Sequence, residues 1–529
     1  MQKSIYDVTV LGAGFSGLSA ALAAAKNGSK TAVVAQNNGA SKEILAFNVP
    51  IYSPDNAKVY YEDMYEGGRE LGNKDIVEQI SHESIHLIDE LEKIGIRFTK
   101  EDDKYAQRLV SGGTYPRAVY YKDVIGKMII NKLSEKCKKA GVDFYNNYRV
   151  LKVNKTEDGF DTIFGDNNDL LNYSVIRSTA LVMATGGIGN LYSFTTYPSD
   201  IWGDGYSIGY QLGAELIDME FVQFEPTIVV YPSELKGVVM PTALFGDGGI
   251  LENKKRERFL KYDYDKKSEN KYHKDEIALA ISKEIQKGNG TSHSGVIFDV
   301  SNVSKSLLKG YPTLLNKLKA GGINLLKDKE VEVAPASHSH MGGIKIDKQG
   351  KTSLKGLFAA GEVTGGIHGA NRLAGNSGTE TLIMGKLAGK SASIFSQNKT
   401  KKSKEKIENY KTEVVKIIEN EKNNNSLISN IQNIMMEYAH LIRNKKDLKL
   451  GLDKITSLKN NNDNKKYKGR ILYLINLSEM IIRAALLREE SRGYHYRSDY
   501  PEIDNKNWDK NIIIFKKSDN MKFSYNKTE

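Results

Sequence analysis

The chain has 529 residues, which is enough for about two to four domains of ordinary size around a large core. Hydrophobic residues make up 40% of it and there are only 10 prolines, so a disordered, collagen-like or disulfide-stapled protein is excluded. The net charge of +11 comes from lysines that lie beside asparagines without interleaved aromatic residues, so we predict a solvated basic surface and no nucleic-acid partner. The single cysteine, Cys137, excludes internal disulfides and a Cys-ligated metal site on this chain alone.

An apolar stretch near the N-terminus, Val8 to Ala25, has the composition of a cleavable leader. The same stretch contains Gly12-Ala-Gly-Phe-Ser-Gly17 at a strand-to-helix junction, and cleavage would destroy that motif. We therefore predict a cytoplasmic chain. No uninterrupted apolar run reaches the ~18 residues that a membrane span needs, so none is predicted.

The first predicted elements form a βαβ unit. Tyr6 to Leu11 is a β-branched run, Leu18 to Lys26 is a helix of small residues, and Thr31 to Ala35 is a second buried strand. This unit predicts a parallel sheet covered on both faces. Apolar residues at helical spacing from Ile76 to Gly95 predict one amphipathic helix that packs on it.

Further along the chain, Ala180 to Ala184 predicts another strand of this sheet, and a change of composition near residue 226 predicts an inserted domain. That domain contains a Lys-rich stretch, Lys254 to Lys274, and a helix at Glu276 to Lys287. Leu357 to Ala360 then predicts a further strand. Ser396 to Lys406 is a predicted linker to a helical, Asn/Lys-rich region with a solvated loop at Lys459 to Lys468.

The glycine motif after the first strand has a specific chemistry. In G-x-G-x-x-G the first glycine permits the turn, the second lets the backbone approach a pyrophosphate, and the third packs helix on strand. The alternative is a glycine turn without a ligand. The end of the second strand, where an acid normally binds the ribose, holds Gln36, whose amide can still accept a hydrogen bond. The predicted cofactor residues here are Gly12, Ala13, Gly14, Ser16, Gly17 and Gln36.

More glycine-rich turns follow later strands, and several backbone approaches suit a large cofactor. These turns are Thr185-Gly186-Gly187, Gly203-Asp204-Gly205 and Ala360-Gly361-Glu362, followed by His368 to Leu373 and Asn376-Ser377. Together with the flanking segments they resemble the flavoprotein subunit family of succinate dehydrogenase, fumarate reductase and L-aspartate oxidase. The matching stretches keep the family's order: VLGAGFSGLSAALAAA, ATGGIGNLY, TTYPSDIWGDG, MEFVQFEPT, KRERFL, HSHMGG, GLFAAGEVTGGIHGANRLAGNS and RAALLREESRGYHYRSDYP.

The resemblance implies an α/β fold whose Rossmann-like FAD-binding domain is interrupted by an α+β capping domain. The expected boundaries are 1–225 and 338–396 for the FAD-binding domain, 226–337 for the cap and 405–529 for a C-terminal helical domain. The resemblance also places Asp204, Glu362, Asn376 and Ser377 near FAD. The segment Gly39 to Pro50 lacks the histidine that carries the flavin in the family's dehydrogenases, so non-covalent FAD is expected.

In this family a hydride moves between flavin N5 and one carbon of a small carboxylic acid, while an arginine exchanges a proton at the neighbouring carbon. The resemblance assigns that arginine to Arg258, although without it Arg258 would be read as a surface residue of a Lys-rich segment. It assigns the grip on the substrate carboxylate to His338 and Arg372, and the fork of an arginine suits this task. His340 is read as a supporting or surface residue.

Two departures from the family pattern concern the substrate. Glu225 stands where the family has a histidine, and the stretch Pro241 to Gly248 lacks the Thr-Glu-x-x-Arg motif that binds substrate and relays protons. Glu225 and Thr242 are predicted substrate-binding residues. A glutamate would repel the far carboxylate of a symmetric dicarboxylate, so we expect a substrate with a cationic or hydrogen-bond-donating far end. The alternative is a Glu225 that is paired with a nearby Lys or Arg and unrelated to substrate.

The expected function is therefore an FAD-dependent oxidoreductase acting on a C=C or C–C bond of a small carboxylic acid. L-aspartate oxidase is the alternative enzyme, and a non-catalytic flavin-binding electron-transfer subunit is the alternative of another class. Because Cys137 is the only cysteine, any iron–sulfur cluster is expected on a separate partner protein.

Overall fold

The computed structural model describes residues 2–260, 268–399, 409–460, 467–518 and 520–527. Most of the predicted linker at Ser396 to Lys406, most of the loop at Lys459 to Lys468 and part of the Lys-rich stretch at Lys254 to Lys274 lie outside the described residues.

The N-terminal region alternates strands and helices around one main sheet. Its elements are β1 Gln2–Leu11, α1 Phe15–Lys26, β2 Thr31–Ala35, β3 Phe47–Asn48, α2 Ala57–Gly67, α3 Lys74–Ser84, α4 Leu87–Lys93, β4 Lys100–Glu101, β5 Lys104–Tyr105, β6 Gln107–Arg108, β7 Ala118–Val119, α5 Ile125–Lys139, β8 Asp143–Asn146, β9 Tyr148–Lys155, β10 Phe160–Asp166, β11 Tyr173–Met183, α6 Asp204–Leu212, β12 Leu216–Ile217 and β13 Val222–Tyr231.

A second group of elements crosses the inserted region and returns to the main sheet. It consists of β14 Ile250–Glu252, α7 Lys274–Glu284, β15 Val296–Asp299, α8 Lys305–Lys309, α9 Pro312–Ala320, α10 Leu325–Asp328, β16 Glu330–His340, β17 Gly343–Lys345, β18 Leu357–Ala359, β19 Thr364–Gly365 and α11 Asn376–Gln397.

The C-terminal region is mainly helical and ends in a hairpin. Its elements are α12 Lys411–Asn423, α13 Ser426–Tyr438, β20 Ile442–Arg443, α14 Lys445–Asn460, α15 Gly469–Leu487, β21 Tyr496–Arg497, α16 Asn505–Trp508, β22 Lys510–Lys517 and β23 Asn520–Lys527. The fold is α/β with a C-terminal helical domain.

The main sheet has the strand order β8-β2-β1-β11-β10-β9, and β18 pairs with the last residues of β11. The strands β8, β2, β1, β11 and β18 run parallel, as the βαβ unit predicts. The strands β10 and β9 are antiparallel, since each reverses direction after a short turn. Helices α1 and α11 pack closely because a Cβ at Gly389 would lie 2.1 Å from the Ala20 carbonyl oxygen.

Two helix predictions differ from the structure. The single helix expected from Ile76 to Gly95 is divided into α3 and α4. The Ser84 hydroxyl donates to the Ser81 carbonyl at 2.7 Å, a local bond that competes with helix continuation. The helix expected at Glu276 begins earlier, at Lys274, because Glu276 accepts a bond from the His273 N–H at 2.8 Å and closes a capping box.

The inserted region has its own four-stranded sheet, β13-β16-β15-β14, and its own hydrophobic core. Val229 and Val333 lie in that core, together with Ile277 and Ile281 of α7. The strands β13 and β16 reach from this core back to the main domain, so residues on them can face both. The proposed boundaries at residues 226 and 337 fall on these two strands.

The C-terminal region contains a buried histidine among arginines. His495 Nδ1 accepts from Arg443 Nη1 at 2.9 Å, because an arginine can only donate, and His495 Nε2 donates to the Arg488 carbonyl at 3.2 Å. Burial, with Arg443 and Arg488 nearby, lowers the pKa of His495 well below its usual range. The imidazole is therefore neutral in the folded protein.

We expect this histidine to make stability depend on pH. The unfolded chain binds a proton at His495 below pH ~6.5 and the folded chain does not, so stability is complete above that pH and is lost as pH falls. His495→Gln removes the titrating group. The difference in unfolding free energy between wild type and variant should shrink by about 2 kcal/mol from pH 7.5 to pH 5, measured by chemical denaturation. An equal difference at both pH values would contradict the assignment.

Candidate active site

The glycine-rich turns meet at one edge of the main sheet. The last residues of β1 and β11 pair with each other, Leu11 with Met183, and Met183 also pairs with Ala359 of β18. Since these strands are parallel, the turns that follow them lie side by side. This edge is the position at which ligands bind in parallel α/β sheets.

The first turn is a close backbone approach that only glycine permits. Gly12 has φ of 110°, and a Cβ there would lie 2.1 Å from the Ala184 carbonyl oxygen. Helix α1 begins directly afterwards, with Gly14 as its N-cap and no acidic residue in its first turn. The positive N-terminus of α1 is therefore available for an anion such as a pyrophosphate.

A cavity of about 450 Å³ extends from this edge to the strands β13 and β16. Of the predicted cofactor residues it is lined by Gly12, Ala13, Gly14, Ser16, Gln36, Thr185, Gly186, Asp204, Glu362 and Ser377. Gly17, Gly187 and Asn376 lie outside the lining. Gly17 packs helix on strand, since a Cβ there would lie 2.0 Å from the Gly12 oxygen, and the Asn376 Oδ1 accepts from Asn48 and Tyr60.

The residues of this cavity fit a dinucleotide. The hydroxyls of Ser16 and Thr185 are buried and have no hydrogen-bond partner among the described residues. One carboxylate oxygen of Glu380, which also lines the cavity, is unpartnered in the same sense. Burial raises the pKa of Glu380 to about 8. Glycine turns, a free helix N-terminus and unpartnered buried hydroxyls are the groups that FAD would require.

Two predicted cofactor residues share a partner from the C-terminal region. Arg470 Nη2 donates to Asp204 Oδ2 at 3.0 Å and to Gln36 Oε1 at 3.4 Å. The Gln36 Nε2 donates to Asn167 Oδ1 at 3.0 Å. The C-terminal helix α15 therefore orients both side chains at the cavity wall, a contact that the sequence did not indicate.

Glu362 lies between the cofactor end and the strand β16. It accepts hydrogen bonds from the Tyr197 hydroxyl and from the His340 backbone N–H, the latter at 3.0 Å. Burial raises the pKa of Glu362 despite these donors. The His340 Nε2 lies 3.1 Å from the Met219 carbonyl oxygen, and burial lowers the pKa of His340 to about 4, so this residue is neutral and supports the wall, as expected.

At the far end of the cavity, Arg372 is held with its guanidinium partly unused. Its Nη2 donates to Gln223 Oε1 at 2.8 Å and its Nη1 to the Leu373 carbonyl at 3.3 Å, while the buried Nε has no partner among the described residues. His338 lies nearby, with Nδ1 2.8 Å from the Thr196 hydroxyl. Arg372, His338, Glu225 and Thr242 all line the cavity, so the four predicted substrate residues come together.

Glu225 is paired with a lysine that the sequence did not single out. Lys274 Nζ lies 2.7 Å from both carboxylate oxygens of Glu225, and His338 Nε2 lies 3.7 Å from Oε2. Burial alone would raise the pKa of Glu225, but Lys274, His338 and Arg372 together lower it. Glu225 is therefore ionised, and its pairing with a lysine matches the alternative interpretation of this residue.

His338 is neutral at physiological pH. Burial lowers its pKa to about 4, with Arg372 and Lys274 acting in the same direction and Glu225 opposing them. A neutral imidazole can donate one hydrogen bond and accept another. Net charge at this end of the cavity therefore comes from Arg372 and from the Glu225–Lys274 pair.

Arg258 lies apart from these residues. Its guanidinium is ion-paired with Glu269 inside the inserted region, with Nε 2.8 Å from Oε1, and it lies outside the cavity lining. The proton-donor role of Arg258 stays a prediction from the resemblance. Lys274, in contrast, lines the cavity. One signal could have identified Lys274: a cation in the first turn of a helix opposes the helix dipole and so indicates another purpose.

Among the described residues, no group of three or more His, Cys, Asp or Glu side chains could hold a metal ion. Within the same part of the chain, no helix combines the length and the apolar composition needed to cross a bilayer.

Comparison with known proteins connects these features. Residues 7–377 match the family described as FAD binding domain, and residues 428–529 match the fumarate reductase flavoprotein C-terminal family. An uncharacterised FAD-dependent oxidoreductase of Methanocaldococcus jannaschii is 34% identical over 536 residues, covering 96% of this chain and 96% of that protein.

Two further relatives carry different names. One polypeptide of the fumarate reductase (CoM/CoB) of Methanothermobacter marburgensis is 32% identical, covering 88% of this chain and 87% of its own length. An L-aspartate oxidase of Saccharolobus solfataricus is 31% identical, covering 96% and 98%. Among solved structures, a variant of the FrdA chain of E. coli quinol fumarate reductase superposes with a TM-score of 0.90 at 25% identity, covering 100% of this chain and 97% of that one.

Proposed function

Because this chain belongs to the flavoprotein family of fumarate reductase, succinate dehydrogenase and L-aspartate oxidase, and is an FAD-dependent oxidoreductase, we propose its specific reaction. The reaction is the interconversion of a C=C and a C–C bond in a small carboxylic acid. Bound FAD, held without a covalent link, supplies the hydride chemistry at N5. The observation that carries the proposal is Arg372, a buried guanidinium with an unpartnered Nε, among the described residues, in the wall of the cavity.

In this proposal Arg372 binds the substrate carboxylate and the neutral His338 donates a hydrogen bond to it. The Gln223 side-chain oxygen fixes the guanidinium by one direct bond. A planar guanidinium held in this way presents its remaining N–H groups in a fixed direction, which is how it recognises a carboxylate. Thr242, at the start of a short turn against the cavity, is proposed as a further contact.

The opposite side of the site favours a substrate that is not a symmetric dicarboxylate. Glu225 and Lys274 neutralise each other, so a second carboxylate there would meet no uncompensated positive charge. A carboxylate taken out of water without a charge partner costs several kcal/mol. The proposed substrate therefore has one carboxylate and a neutral or cationic far end that can bond to Glu225.

The experiment is an anaerobic screen of the purified, flavin-loaded protein. The flavin is reduced by light, and unsaturated carboxylic acids are tested for reoxidation, followed by absorbance. An unsaturated monocarboxylic acid should reoxidise the flavin at least about tenfold faster than fumarate, since ~1.4 kcal/mol corresponds to tenfold. Reoxidation by oxygen alone would contradict the proposal and favour an electron-transfer subunit. Hydrogen peroxide release that depends on aspartate would instead indicate L-aspartate oxidase.

A matched pair of variants tests the substrate preference in the same assay. Glu225→Gln leaves Lys274 uncompensated and should shift the preference toward fumarate by about tenfold. Glu234→Gln changes an exposed glutamate of the inserted region and should leave the preference unchanged. An unchanged preference in Glu225→Gln would separate Glu225 from substrate selection.

We also propose that electrons are exchanged with a separate protein, which can carry an iron–sulfur cluster. Cys137 is the only cysteine of the chain, it is buried, and burial raises its pKa to about 12, so it offers no thiolate ligand. A cytoplasmic location is part of the same proposal, since a lone unoxidised cysteine is typical of a reducing compartment.

A further inference from the structure

Resting on the proposed function, we infer that Lys274, and not Arg258, is the residue that exchanges the proton with the substrate carbon. The proposed reaction needs an acid within reach of the bound substrate. Arg258 is held by Glu269 outside the cavity lining, whereas Lys274 lies in the lining beside Glu225, His338 and Thr242.

The hydrogen bonds of Lys274 leave one donor for a substrate. An ammonium group has three N–H bonds, and two of them point to Glu225 Oε1 and Oε2, each at 2.7 Å. The third has no partner among the described residues. The Lys274 side chain is 12% exposed, so it reaches the cavity while most of its length is packed.

The helix that carries Lys274 is anchored at its first turn. Asp275 Oδ2 accepts from Arg69 Nη2 at 2.8 Å, and this bond ties the start of α7 to the segment after α2. The capping box between His273 and Glu276 fixes the backbone on either side of Lys274. A proton donor on a rigid, doubly anchored element keeps the geometry that proton transfer requires.

Glu225 acts as a positioning residue in this arrangement. Its two oxygens hold the ammonium in one orientation, and its negative charge offsets the cost of a second cation close to Arg372. The position of a lysine at the helix N-terminus opposes the helix dipole, so the fold gains nothing from the charge there. A catalytic purpose accounts for that position.

The proton balance is simple. When one carbon of the double bond accepts hydride, the Lys274 Nζ–H bond breaks and the neighbouring carbon bonds to that proton. The electron pair stays on Nζ as a neutral amine, which water reprotonates. The substrate gains two electrons, which the reduced flavin loses.

The test compares Lys274→Met, Lys274→Arg, Arg258→Gln and the control Lys283→Met, which changes a lysine of the same helix that lies over Tyr496. Lys274→Met should lower the rate of flavin reoxidation by the best acid about 100- to 10,000-fold, the usual contribution of a general acid. Calorimetry on the oxidised protein should show the acid binding to Lys274→Met within tenfold of wild type. The flavin content and the rate of Lys283→Met should match wild type.

The pH profile separates proton donation from a structural role. Lys274 faces Glu225 on β13, His338 on β16 and Arg372, with Asp275 and Arg69 at its own helix. Lys274→Arg keeps a cationic donor that stays protonated across the working range, so it should exceed Lys274→Met at least tenfold and extend activity to higher pH.

Three outcomes overturn the inference: reoxidation by Lys274→Met within threefold of wild type, loss of acid binding in Lys274→Met as large as the loss of rate, or an Arg258→Gln defect that exceeds that of Lys274→Met. A wild-type protein that no acid reoxidises contradicts the proposed function itself, which is a different result.

Discussion

Replacing Arg372 with methionine should weaken binding of the carboxylic acid substrate about 1,000-fold, close to 4 kcal/mol, because a buried charge partner is removed from the carboxylate. Methionine has a similar length, so packing near Leu373 is largely kept. Arg372→Lys retains the charge but loses the planar fork, and should recover only part of the affinity. Calorimetric titration of the oxidised, FAD-loaded protein measures both dissociation constants.

The control for Arg372 is the flavin itself. Since Arg372 bonds to Gln223 and Leu373 at the far end of the cavity, flavin content and melting temperature should change little in either variant. Substrate affinity within tenfold of wild type in Arg372→Met would remove Arg372 from the carboxylate site.

The second large effect is expected at Gly12. Gly12→Ala would place a Cβ 2.1 Å from the Ala184 carbonyl oxygen at φ of 110°, a conformation that alanine rarely adopts. The turn must move, and with it the start of α1 and the partner turn after β11. We expect the dissociation constant for FAD to rise at least about 100-fold, from steric and backbone terms of about 3 kcal/mol together.

Gly213→Ala is the matched control for Gly12→Ala. Gly213 also has a positive φ, of 96°, but a Cβ there meets nothing within 4 Å among the described residues. This variant carries the backbone cost alone, about 1 kcal/mol, and should bind FAD normally. Equal FAD affinities for the two variants would show that the contact with Ala184 is unimportant. Titration of FAD into the flavin-free proteins measures the difference.

The cofactor half of the site could be predicted well because its requirements are local. A tight turn after a strand needs a glycine, and the pattern Gly12, Gly14 and Gly17 states that need directly in the sequence. The turn after β11 follows the same rule at Gly186. Only their juxtaposition depends on the sheet, where Leu11 pairs with Met183.

The substrate half was predicted less completely because its members come from separate elements. Arg372, His338 and Glu225 were expected together and do line one cavity. Lys274 was missed, since nothing local marks a lysine in a Lys-rich stretch as buried. The neighbouring Arg258 resembled the expected proton donor in sequence, but its pairing with Glu269 is a tertiary fact.

The sequence by itself determined the family, the FAD cofactor and the order of the elements, because these rest on glycines and strand patterns whose physical demands act over a few residues. Only the tertiary structure decided which charges meet. Helix α7 packs on β13, and this contact brings Lys274 to Glu225 across a separation of 49 residues. A side-chain pair across such a distance depends on how two elements pack, and no local pattern in the chain encodes that packing.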